Sequence, residues 1–151
     1  MNIVDTIDNF NIKNVYFSDS LENTVMDNGI FSKIIYSTND ITVNGIYLVC
    51  NFSHTYIEKI GMNKYKITWN KEKNEDLMKK ITDIENALLK KYGKETTSMQ
   101  LSTLLDHCNF RIFTENDKLY SNTDFLLRIS GIWENKLSSG ITYKFLELHS
   151  I

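Results

Sequence analysis

The sequence predicts an α+β domain, mainly β: a small barrel or a strongly curved antiparallel sheet, with one long helix over 73–92 and a short second helix over 97–108. Three observations predict it. Short runs rich in β-branched and aromatic residues are separated by Asn, Asp and Gly turn signals. One segment carries apolar residues at helical spacing. A further pair of strand-like runs follows that segment.

Asn14 to Phe17 is the first strand signal. Asp27-Asn28-Gly29 reads as a turn, because Asn and Gly tolerate positive φ. Ile30 to Ser37, the turn Asn39-Asp40, and Ile41 to Phe52 read as a hairpin; Gly45 inside the second arm marks a bulge or a close backbone approach. Tyr56 to Ile60 and Lys64 to Trp69 flank Gly61-Met62-Asn63 as another hairpin. In its second arm Tyr65, Ile67 and Trp69 point one way and Lys64, Lys66 and Thr68 the other.

Lys73 to Tyr92 places Leu77, Ile81, Ile84 and Leu88 on one helical face. Asn74 is positioned as the N-cap, Glu75 and Asp76 suit the first turn, Lys90 and Lys91 the last, and Gly93 the stop. Thr97 to Cys108, with Met99, Leu104, Leu105 and Cys108 apolar, gives the short second helix. Phe110 to Phe113 is a short strand. Phe125 to Glu134 and Gly140 to Leu148 form the last hairpin, joined by Asn135 to Ser139, with a bulge at Ser130-Gly131.

The 151 residues suit one domain, 1–151, and no linker, charge block or repeat divides them. Apolar residues at 42%, charged residues at 24% and a net charge of -2 force neither disorder nor a strongly polyanionic partner. Cys50 and Cys108 lie far apart in apolar surroundings and do not resemble a disulfide scaffold. Met1 to Asn11 lacks a basic region followed by an apolar run, so no secretory leader is expected. No apolar stretch approaches the roughly 18 residues of a membrane span. The expected location is therefore cytoplasmic or nuclear, and the Asn51-Phe52-Ser53 sequon is expected to be silent.

Catalytic signatures are missing. There is no phosphate-binding Gly loop, no His-Glu-x-x-His and no Cys-x-x-Cys. His54, His107 and His149 are scattered, and the adjacent pair His107-Cys108 does not make a zinc site. No Ser or Cys sits in a Gly-flanked elbow. Nothing in the spacing of Asp106, Glu115, Asp117 and Asp124 selects a catalytic pair. The sequence thus predicts no enzyme, no metal and no cofactor.

The distinctive segment is the last hairpin, which interleaves cations and rings on adjacent strands. Arg128 and Lys144 suit phosphates, while Trp133 and Tyr143 offer faces for bases. Lys64, Tyr65, Lys66 and Trp69 repeat the mixture. Rings at strand spacing are also the usual filling of a sheet core, and strand lysines are usually solvated.

Gly131-Ile132-Trp133, a short polar loop, then Gly140-Ile141-Thr142-Tyr143-Lys144-Phe145 resembles the terminal hairpin of OB-fold single-stranded DNA-binding proteins of phages and large DNA viruses. The order of elements, with the helix ahead of the final two strands, is similar to that fold. The resemblance implies an OB-like barrel that binds single-stranded DNA or RNA in viral or phage replication. On that reading Lys64, Lys66, Arg128 and Lys144 contact backbone, and Tyr65, Trp69, Trp133 and Tyr143 stack on bases. The alternative is a structural or assembly protein, a virion or replication-complex component. It would act as a homo-oligomer or on other proteins through strand edges and aromatic patches.

Overall fold

The structure is a computed structural model; it describes residues 4–19, 21–23, 29–115, 119 and 124–148. Two helices, α1 (Glu75–Tyr92) and α2 (Gln100–Asp106), sit among eleven described strands. These are β1 (Asp5–Thr6), β2 (Val15–Phe17), β3 (Leu21–Asn23), β4 (Gly29–Ser37), β5 (Thr42–Asn44), β6 (Ile46–Cys50), β7 (Thr55–Gly61), β8 (Lys64–Trp69), β9 (Asn109–Phe113), β10 (Phe125–Glu134) and β11 (Ser139–Glu147).

The strands form two sheets, one of eight strands and one of three, β7-β8-β9. The fold is α+β and mainly β. The described strands do not close into a barrel. The OB-like barrel of the sequence expectation is therefore corrected to two separate sheets, the larger of them mixed. One pair departs from the antiparallel expectation: β1 lies parallel to β6.

β10 is the spine of the large sheet. Its first half pairs with β6 from Phe125↔Cys50 to Ile129↔Ile46, and its second half pairs with β4 from Gly131↔Lys33 to Glu134↔Ile30. β11 runs along its whole other edge. The change of partner falls where the β10–β11 register shifts, between Ile129 and Gly131. The bulge expected at Ser130-Gly131 is therefore the device that re-aims the strand. Gly131 must be a glycine: a Cβ there would lie 2.4 Å from the Ser32 carbonyl oxygen and 2.5 Å from the Phe31 ring.

The run expected over Ile41 to Phe52 divides at Gly45, whose φ is +86°. Ahead of it, β5 continues the hairpin with β4; beyond it, β6 leaves β4 and pairs with β10. The turn at Gly61-Met62-Asn63 joins β7 and β8 as expected, with Asn63 at φ 56°. Asp27 and Asn28 of the first expected turn lie outside the described residues. β1 and β3 carry no strand signal in the sequence.

The inner faces of both sheets and one face of α1 share a single apolar core. Phe110 of β9 stacks on Phe145 of β11, ring centroids 4.2 Å apart at 11°, so the two sheets pack face to face. Ile81, Ile84 and Leu88 of α1 are buried as expected, with Met78 and Leu89 beside them; Leu77 lies at the core's margin. Gly93 ends the helix in the left-handed conformation, its N–H donating to the Leu89 carbonyl.

Two details of the helices correct the sequence reading. Asn74 does not cap α1 with its side chain. Buried at 3% exposure, it accepts from the Ser53 N–H and donates to the Ser53 and Asn70 carbonyls, so it clamps the β6–β7 loop onto the helix start. The second helix is shorter than 97–108, because Cys108 adopts φ 57° and turns the chain into β9. Its first N–H groups are met by Glu85 of α1, a fully buried carboxylate that accepts from Leu101 N–H, Ser102 N–H and the Ser102 hydroxyl. No helix of the described residues is long and apolar enough to cross a membrane.

Candidate nucleic-acid interface

The eight residues that the sequence nominates divide between two outward faces and the core. β8 separates its own four by strand alternation. Tyr65 and Trp69 point inward and are 4% and 3% exposed. The Trp69 ring stacks on Phe52 at 4.3 Å and its Nε1–H reaches the Met78 sulfur. Neither ring has a face for a base, so Tyr65 and Trp69 are corrected from stacking platforms to core. The cause is the two-residue period, which puts them opposite Lys64 and Lys66 once the inner side is covered by the large sheet and α1.

Lys64 and Lys66 point outward, and the register shows what surrounds them. Lys66 lies between Glu58 of β7 and Arg111 of β9. Lys64 lies opposite Phe113 of β9, its ammonium 5.3 Å from the ring centroid. Thr68 lies between Tyr56 of β7 and Asn109 of β9. Tyr56 is 67% and Phe113 66% exposed. The two rings therefore occupy opposite corners of the outer face, separated by about 13 Å along the strands at 3.3 Å per residue. Between them runs the Lys66–Arg111 row. This face offers three cations against one carboxylate, and no ion pair ties the three to a described residue. Tyr56, Arg111 and Phe113 escaped the sequence reading. Their signal is alternation: Arg111 and Phe113 alternate with Phe110 and Ile112, and Tyr56 and Glu58 with Ile57.

The last hairpin is divided in the same way. Arg128 and Lys144 are direct cross-strand partners, both exposed, and Arg128 also lies opposite Tyr47 of β6. Trp133 shares their face, partly buried because its ring lies flat on Gly140, where a Cβ would come within 2.6 Å of it. Tyr143 does not share it. Opposite Ile129, it turns to the inner side and meets Phe145 edge-on at 6.2 Å. Burial, with the Glu85 carboxylate adding, pushes its phenol pKa up. Tyr143 is thus placed with the core and not beside Arg128 and Lys144.

Since the sheets pack by their inner faces, the Lys64–Lys66 surface and the Arg128–Lys144–Trp133 surface look away from each other. Among the described residues no group of three His, Cys, Asp or Glu is arranged to hold a metal. Both cysteines are free, and burial pushes the Cys50 thiol up to about 12. No protein-family model, curated protein or solved structure matches the chain.

Proposed function

We propose that this protein binds single-stranded nucleic acid, with low sequence preference, across the outer face of β7-β8-β9. The observation that carries the reading is the pair of two-thirds-exposed rings, Tyr56 and Phe113, on one face with Lys64, Lys66 and Arg111. Exposed rings on a sheet are sequence-tolerant stacking platforms, and cations between them suit the phosphates that link successive bases. The resemblance of the last hairpin to phage and viral single-stranded DNA-binding proteins points to the same ligand and to a role in viral or phage replication.

Fluorescence anisotropy with a labelled oligothymidylate tests the proposal. Three phosphate contacts give a salt slope of about -2, so affinity should fall about 20-fold between 50 and 200 mM salt. No binding at micromolar protein in low salt would remove the reading.

A second reading rests on a different observation. Among the described strands β7 pairs only with β8, so Tyr56 to Gly61 lie along an edge of the three-stranded sheet. Such an edge suits a partner strand in an assembly or virion protein. Light scattering after size exclusion separates the two: a concentration-independent oligomer favours assembly, a monomer that binds the oligonucleotide favours the first reading.

A further inference from the structure

The large sheet has a fork at its centre. β4 and β6 both pair with β10 but on successive halves, and they part at Gly45. The parting leaves a cleft of about 330 Å³ on the outer face, lined by Phe31, Lys33, Asn44, Gly45, Arg128 and Ser130. Its floor requires close backbone approach: a Cβ on Gly45 would lie 3.2 Å from the Ile129 carbonyl oxygen, at a φ that side chains rarely adopt. Its wall is the Phe31 ring, seated over Gly131.

The charge pattern at this cleft is unusual for a sheet. Lys144 stands directly opposite Arg128, and like charges so placed are destabilising. Lys33, one residue row along the same face, adds a third cation. None of the three is in an ion pair with a described residue. By register, the described strand positions that share this face carry no carboxylate. Among the described residues, this face thus gathers three cations and no carboxylate.

We propose that the fork cleft binds a phosphate-bearing nucleotide. Its phosphate lies between Lys33 and Arg128, with Lys144 adding to the field, and its base lies against Phe31 within reach of the Asn44 amide. A guanidinium offers the fork of donors that phosphate oxygens accept, and the cleft is at the lower end of the size range for small-ligand sites. This site is on a different sheet from the proposed strand-binding face and does not rest on that reading.

Isothermal titration calorimetry on the whole chain tests it, with adenosine 5′-monophosphate, adenosine and inorganic phosphate as probes. The proposal expects saturable one-to-one binding of the monophosphate, at least about tenfold tighter than adenosine, since loss of charged hydrogen bonds costs that factor or more. Lys33→Gln with Arg128→Gln, both at exposed positions, should weaken it about tenfold or more at unchanged melting temperature. Lys64→Gln with Lys66→Gln and Arg111→Gln should leave it unchanged, which separates this site from the other face. Competition by a 5′-phosphorylated oligothymidylate would identify a strand end as the source of the nucleotide, and its absence a free nucleotide. No saturable binding at millimolar monophosphate, equal binding of adenosine, or full binding by the Lys33/Arg128 variant would each overturn the proposal.

Discussion

Glu85 is the most consequential polar side chain of the core, and replacing it makes a sharp test of how α2 is held. It is fully buried, and its carboxylate accepts three hydrogen bonds, two of them from the first backbone N–H groups of α2. Glu85→Ala leaves those donors unmet beside Leu101, which is itself fully buried. A hydrogen bond to a charged group contributes roughly 1.5–3 kcal/mol, and the vacated volume lets a water recover part of the loss. The expected cost is about 4 kcal/mol, a large share of the roughly 5–15 kcal/mol that holds a domain together. At about 2–4 °C per kcal/mol for a chain of this size, the melting temperature should fall by about 10 °C. Glu85→Gln keeps one acceptor but turns an amide N–H₂ toward a donor, for about 2 kcal/mol. Urea unfolding followed by circular dichroism measures both. If Glu85→Ala costs under about 1 kcal/mol, the carboxylate is not what anchors the start of α2.

Three further outcomes follow from the same structure. Burial holds the Cys50 thiol at about 12, above its ordinary 9.0, so the unfolded chain loses its proton first as pH rises. Stability is then fully present below pH 9 and should fall between pH 9 and 12 by at most about 1.4 kcal/mol per pH unit from this group; Tyr143, also shifted up, adds in the same direction. Cys50→Ala should flatten that slope in denaturant titrations at pH 8 and 10. A thiol reagent at pH 8 should leave Cys50 unmodified until the protein unfolds, and fast native labelling would contradict its burial. Gly131→Ala places a methyl against the Ser32 carbonyl and the Phe31 ring, and should cost about 1–3 kcal/mol in the same unfolding assay; a neutral effect would mean that β4 can move off β10 freely.

The legibility of this chain divides by range. Local signals read well: the α1 periodicity, the Gly93 stop, the β7–β8 hairpin and the bulge at Ser130-Gly131 all depend on residues within a few positions of one another. Non-local placement did not. Asn74 has the right spacing for a cap, yet its partner is Ser53, 21 residues away, which only the folded chain brings near. β1 and β3 are two and three residues long and exist because β6 and β4 offer edges to them. For the candidate interface, the alternation in β8 was visible, but which side faces water depends on the large sheet packing over Tyr65 and Trp69. The same packing leaves Tyr56 and Phe113 outside; the alternation in their own strands groups them with Glu58 and Arg111 but does not say which side faces water. Arg128 and Lys144 of the last hairpin meet as cross-strand partners, a register the sequence does not spell out, whereas Tyr143, one residue from Lys144, points the other way by the period of the strand.

Tyr56 and Phe113 share the outer face of β7-β8-β9 with Lys64, Lys66 and Arg111. The most direct measurement is oligothymidylate anisotropy with Tyr56→Ala and Phe113→Ala, each checked for an unchanged melting temperature. Stacking contributes roughly 1–3 kcal/mol per base, so each variant should weaken binding by about fivefold or more, and Trp133→Ala should leave it unchanged. Wild-type affinity in both ring variants would contradict the claim.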